Sequence, residues 1–100
     1  MEEAIRDSHV VCAKSWGALK YYGNWTEEKK LREQLKHWIV TKEKMSLTNK
    51  ALFMHCLPVR RNVEVADEVL DSKNSVIIDE AENRMWAQMA LLQTLLGGKL

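Results

Sequence analysis

Proline occurs once among the 100 residues, phenylalanine once and glycine four times. No repeat or low-complexity linker interrupts the chain, so its one proline, Pro58, marks a place where residue type alone fixes the backbone. Cysteine is scarce as well. Cys12 and Cys56 form neither a CxxC pair nor a Cys/His ligand spacing. His55 beside Cys56 makes no metal pair on a strand, where neighbours point to opposite faces. Two free thiols suggest a reducing, cytoplasmic setting. Charge of one sign is missing: the formal net charge is +1, with acidic and basic residues interleaved, so nucleic acid and anionic membrane are not expected partners. No apolar run approaches the roughly 20 residues of a membrane span, and the opening Met1–Asp7 is too charged for a signal peptide. No metal or other cofactor is expected.

What is present suits one small α/β domain with a modest core, below the size of most two-substrate enzymes. Hydrophobic residues make up 46% and charged ones 29%, ordinary for a globular chain. The β-branched run in His9–Ala13 predicts a buried strand after a helix end at Met1–Arg6. Lys14–Trp25, dense in aromatics and glycine, predicts a loop at that strand's carboxyl end; Trp16, Tyr21 and Tyr22 either bind something there or cover the sheet edge. Thr26 is the expected N-cap of an amphipathic helix carrying Leu31, Leu35 and Trp38, with a Glu28–Arg32 pair. Trp38–Val40 predicts a short strand, Thr41 caps a brief helix to Met45, and Asn49–Lys50 turns into a strand ending at Cys56. Val63–Leu70 reads as a short helix or turn and Ser75–Ile78 as a further buried strand. Asp79 and Glu82 have capping-box spacing for a last helix. That helix should put Met85, Met89, Leu92 and Leu96 on its core face and end at Gly97-Gly98.

The run Phe53-Met54-His55-Cys56-Leu57-Pro58-Val59-Arg60-Arg61-Asn62 carries the most chemistry. A strand leads into a thiol, a rigid turn at Pro58 and two guanidinium groups, at the sheet edge where open α/β folds bind ligands. In isolation, Cys56 reads equally well as a small buried hydrophobe and the arginines as solvated. The whole run, however, resembles the signature near the C-terminal end of the ornithine and N-acetylornithine carbamoyltransferases. Two further segments match. Lys14-Ser15-Trp16-Gly17-Ala18 is similar to the N-acetylornithine branch, where the ornithine branch carries an aspartate before its Trp-Ser-Met-Gly-like stretch. Glu82-Asn83-Arg84 is similar to the family's acidic-Asn-Arg segment before the final helix.

The resemblance implies the C-terminal part of an amino-acid-binding domain: a parallel sheet with flanking helices, spanning residues 1–100. The implied substrates are carbamoyl phosphate and N-acetylornithine or N-succinylornithine, within arginine biosynthesis. Lys14 would pair with the α-carboxylate, because an acylated α-nitrogen is neutral and a carboxylate opposite it would lose its cation. Arg84 would donate to the carbamoyl oxygen, and the Leu57 carbonyl would accept from the carbamoyl NH₂. Cys56 would orient the attacking amine or take up its proton, a positional and not a covalent role. Arg60 would steady the loop and reach phosphate or substrate, or else form a structural ion pair. Glu64 stands where some relatives have a lysine carrying a CO₂-derived carboxylate, and would act through a water or not at all. Arg84, expected near the positive end of the last helix, would sit there against a small electrostatic penalty. The family's Ser-Thr-Arg-Thr and His-Pro-x-Gln segments, which hold carbamoyl phosphate in a separate N-terminal domain, do not occur in this chain. The chain alone is therefore expected to lack turnover and to need that domain, or neighbouring subunits of a trimer. The alternative is a non-catalytic remnant or regulatory module that binds an amino-acid derivative.

Overall fold

A computed structural model describes residues 1–97. Two parallel strands, β1 (Val10–Ala13) and β2 (Leu52–His55), form its centre, in the register Val10↔Leu52 to Ala13↔His55. Parallel neighbours cannot be joined by a tight turn and need a crossover. Residues 14–51 supply it, with helices α2 (Trp25–Gln34) and α3 (Lys42–Ser46), between α1 (Glu2–Ile5) before the sheet and α4 (Asp67–Leu70) and α5 (Ile77–Leu95) after it. The architecture is the expected one, an α/β fold with a parallel sheet and flanking helices.

Phe53 and His55, two apart on β2, share the inward face and are 0% and 1% exposed. Around Phe53 gather Val11, Val40, Ala51, Val65, Val69 and Leu70, with Ile5, Met45, Val59 and Ile77 packed on the outside of this cluster. Val40 bridges in parallel to Val65, donating to the Glu64 carbonyl at 2.9 Å and accepting from the Ala66 N–H at 2.9 Å. These bonds pin the segment that follows β2 against the crossover. α3 begins as expected, with Thr41 Oγ1 accepting from the Lys44 N–H, and Arg32 pairs with Glu28 at 2.5 Å.

Several local expectations fail for definable reasons. Asn24, not Thr26, caps α2, its Oδ1 accepting from the Glu27 N–H at 3.3 Å; Asn is as good a cap, and Trp25 joins the helix. Lys36–Trp38 form a 3₁₀ turn, leaving Val40 as a single bridging residue instead of a Trp38–Val40 strand. The Ser75–Ile78 strand reduces to one bridge at Ser75, where Val76 N–H donates to the Phe53 carbonyl at 2.9 Å. The Glu80 N–H then bonds the Val76 carbonyl at 2.9 Å, and the helix is under way. α5 thus starts at Ile77 with Val76 in the cap position, so Asp79 and Glu80 occupy its first turn, where they complement the positive end. Arg84 lies two turns in, and the penalty expected for a cation at that end does not apply to it. Met85, Met89, Leu92 and Leu96 do share a face, but it is uncovered: Met89 is 52% and Leu92 58% exposed. Gly97, with φ +83°, follows the helix end, and Gly98 lies outside the described residues.

Candidate functional site

The register that pairs Ala13 with His55 brings two strands to an end side by side, so the chain leaves β1 at Lys14 and β2 at Cys56 from adjacent positions. This is the carboxyl edge of a parallel sheet, where side chains and backbone groups of the following loops converge.

After β2 the backbone turns sharply. The Leu57 N–H donates to Nδ1 of the buried His55 at 3.0 Å, and the Leu57–Pro58 peptide is cis. A proline disfavours the right-handed helical region for the residue before it, and Leu57 lies outside that region. Leu57, however, adopts φ +46°, in the left-handed region that non-glycine residues avoid. Arg84, reaching across from α5, places Nη1 3.5 Å from the Cys56 carbonyl. Cys56 is half-buried, whereas Cys12 is exposed.

Two bonds tie this loop to the one after β1. Ser15 Oγ donates to the Pro58 carbonyl at 3.3 Å, and Arg60 Nη2 donates to the Trp16 carbonyl at 2.7 Å. Arg60 is held in turn by Glu64: its Nε lies 2.6 Å from Oε1, and its backbone N–H donates to Oε2 at 2.5 Å. Glu64 is 2% exposed, so its carboxylate depends on these donors to offset lost hydration. Trp16 completes the join through an edge-to-face contact with Trp38, with ring centroids 6.1 Å apart.

Further along, Asn62 (φ +58°) accepts from the Asp67 N–H and donates to its carboxylate at 2.7 Å. Arg61 bridges Asp67 and Asp71 at 2.7 Å on the surface. Its guanidinium holds both carboxyls below the usual aspartate range, and they raise its own pKa in return.

Of the residues singled out by sequence, the structure thus joins Cys56, Leu57 and Arg84 at the end of β2, and Arg60 with Glu64 beneath the two loops. Lys14 is exposed, without an ion-pair partner among the described residues, and lines a cavity of about 270 Å³ with Cys12, Trp16, Trp38 and Glu64. Arg60 makes the structural ion pair that was one of its two expected roles. Sequence reasoning passed over Ser15 as a tether and His55 as a hydrogen-bond acceptor. The alternation of Phe53 and His55 was a signal that the imidazole faces inward.

Residues 1–95 match the family described as aspartate/ornithine carbamoyltransferase, Asp/Orn binding domain. The chain is 52% identical over 97 residues to the N-acetylornithine carbamoyltransferase of Xanthomonas campestris, and 50% over 95 residues to that of Xylella fastidiosa. It is 45% identical over 100 residues to the ornithine carbamoyltransferase of Nitrosococcus oceani. These alignments cover 95–98% of the chain but only 28–32% of the relatives, so the chain spans under a third of their length. A crystal structure of acetylornithine transcarbamylase complexed with acetylcitrulline superposes with a TM-score of 0.81 at 52% identity, over 94% of this chain and 28% of that one. A mutant of N-acetyl-L-ornithine transcarbamylase complexed with carbamyl phosphate and N-succinyl-L-norvaline gives the same TM-score, identity and coverage.

Proposed function

Because the chain belongs to the aspartate/ornithine carbamoyltransferase family, within its Asp/Orn-binding domain, we propose that it is the amino-acid-binding part of an enzyme of arginine biosynthesis that carbamoylates the side-chain amine of an N-acylated ornithine. The observation that carries this reading is the junction of the two strand-end loops. It sets the Lys14 loop and the Cys56–Leu57 turn side by side, tied through Ser15–Pro58 and Arg60–Trp16. The lysine at position 14, and the higher identity to N-acetylornithine enzymes than to ornithine enzymes, favour the acylated substrate.

In the reaction the amine nitrogen forms a bond to the carbamoyl carbon, and the bond from that carbon to phosphate breaks, its electron pair leaving with phosphate. Negative charge gathers on the carbamoyl oxygen, and Arg84 donates to it, a role supported by its reach to the Cys56 carbonyl at the end of β2. The Leu57 carbonyl accepts from the carbamoyl NH₂, which fixes the plane of the group. Cys56 orients the amine and offers an acceptor for its proton, since an alkyl ammonium with a pKa near ~10.4 must lose a proton to attack. Lys14 holds the α-carboxylate with a charge-assisted bond. Arg60 and Glu64 act through the loops, keeping the Trp16 carbonyl, and with it the Lys14 segment, in place.

Carbamoyl phosphate requires further residues, so the working enzyme contains a carbamoyl-phosphate-binding portion, in the same assembly or in neighbouring subunits. The uncovered apolar face of α5 is consistent with such an addition.

The test is a chimera in which residues 1–95 replace the matching stretch of the Xanthomonas campestris relative. It should turn carbamoyl phosphate and N-acetylornithine into N-acetylcitrulline, and Lys14→Asp should weaken N-acetylornithine binding at least tenfold while leaving carbamoyl phosphate affinity within about twofold. A folded chimera that binds carbamoyl phosphate but makes no product would favour a non-catalytic module. Equal affinity of the two chimeras for N-acetylornithine would remove Lys14 from the site.

A further inference from the structure

One buried polar side chain has no place in the chemistry above. His55 is 1% exposed, the last residue of β2, on the same inward face as Phe53. Its Nδ1 lies 3.0 Å from the Leu57 nitrogen. A backbone N–H can only donate, so Nδ1 must be the bare, accepting nitrogen, and the ring proton of the neutral imidazole sits on Nε2. Nε2 is buried and has no partner among the described residues.

The significance lies in which peptide unit is being held. The Leu57 N–H and the Cys56 carbonyl belong to the same planar group and point in opposite directions from it. His55 holds the N–H end at 3.0 Å, and Arg84 Nη1 reaches the carbonyl end at 3.5 Å. One rigid plane is therefore gripped at both poles, by a side chain from the core and by a side chain from α5. The plane is followed by Leu57 at φ +46°, a rotation that a leucine does not adopt unaided. Fixing the plane fixes the N–Cα axis about which Leu57 turns, and with φ held at +46° the Leu57 carbonyl is aimed from that axis.

We propose that His55 is a positioning residue: its Nδ1, opposite Arg84, clamps the Cys56–Leu57 peptide and sets the direction of the Leu57 carbonyl and the seat of the Arg84 guanidinium. The consequence for catalysis rests on the carbamoyl-transfer reading above, but the clamp itself does not.

Replacement by residues of graded likeness separates the clamp from mere bulk. Asparagine can place Oδ1 close to where histidine places Nδ1, whereas phenylalanine fills the space and offers no acceptor. In the full chain, amide hydrogen exchange at Leu57 should quicken roughly five- to tenfold in His55→Phe and return to near the parent rate in His55→Asn, with β1 and β2 amides unchanged in both. If His55→Asn exchanges as fast as His55→Phe, or if Leu57 is equally protected in all three, the clamp is refuted. Should the variants fail to fold, nitrogen-15 NMR of the parent chain decides alone: a bare Nδ1 with the proton on Nε2 supports the clamp, and a protonated Nδ1 overturns it. In the chimera, His55→Phe should lower kcat with little change in the KM for N-acetylornithine, and His55→Asn should restore it. A chimera without turnover in any form would count against the enzymatic reading and leave the exchange and NMR results to judge the clamp.

Discussion

The loops that follow β1 and β2 are held by bonds inside the chain: Ser15 to Pro58, Arg60 to Trp16 and Glu64, Asn62 to Asp67. α5 is held differently. Ile77 packs on the core and Arg84 reaches the Cys56 carbonyl, but beyond them Met85, Trp86, Met89, Leu92 and Leu95 stand open to solvent. The strand-end loops are tied by polar bonds made within the chain, although His55 Nε2 and Trp16 Nε1 are left without a partner among the described residues; the helix carries apolar groups that the chain does not cover. A region of the first kind keeps its shape by its own contacts. One of the second kind is completed only by burial elsewhere, since an apolar patch of this extent normally marks an interaction surface.

Substitutions can test how deep this contrast runs. The largest effect should come from Glu64→Ala, which leaves the Arg60 guanidinium and backbone N–H without their acceptor in a closed site. Losing one partner of a buried pair costs about 3–5 kcal/mol, and the lower end applies because Arg60 keeps 37% of its side chain in solvent. Chemical denaturation of parent and variant measures it, and a loss under about 1 kcal/mol would mean that the loops are not held by this pair. Next comes Asn24→Ala, which removes the cap of α2 and should cost about 0.5–2 kcal/mol in the same assay. Leu92→Gln on the open face of α5 should change the stability of the chain by less than about 0.5 kcal/mol. It should also lower self-association in light scattering. A loss comparable to that of Glu64→Ala would show that α5 is packed after all, and the contrast would collapse.

The smallest effect is electrostatic, and its pH dependence falls in the acid range. Arg61 depresses the carboxyl pKa values of Asp67 and Asp71 relative to the 3.8 of the free side chain. A depressed folded-state pKa adds stability that is present above the unfolded value and is lost as pH falls through the folded one. The contribution of this triad should therefore fade below about pH 3.8, and Arg61→Gln should lower stability slightly and evenly above that value while leaving it nearly unchanged at about pH 2, which flattens the acid limb of a stability–pH curve. Both groups are at the surface, so the change is slight and should shrink further in salt.

Much of this could be read from residue order. The β-branched run before Lys14, the apolar lead-in to Cys56 and the Thr41 cap are local signals, and local structure obeyed them, although of β1 only Val11 is buried, against the buried strand expected. Ser75–Ile78 was misread because periodicity cannot tell a short buried strand from the first turn of a buried helix. What decides is tertiary: Val76 gives its N–H to Phe53, after which no further strand pairing follows and the helix takes over. The Met and Leu stripe of α5 was rightly seen as one face, but a stripe does not say what covers it. At the candidate site, Lys14, Cys56 and Arg84 were singled out by resemblance. That Glu64 is the buried partner of Arg60 depends on packing that spacing does not reveal, whereas the alternation of Phe53 and His55 did carry the inward imidazole.

The ties between the two loops end on the main-chain oxygens of Trp16 and Pro58. No substitution can delete a main-chain oxygen, so the frame is lost only through its two donors, Ser15 and Arg60. The side chain at position 14 takes no part in either bond and is free to be exchanged for one of another charge. The two loops thus stay in register whatever stands at position 14, and that position can vary without loosening the join between the strand ends.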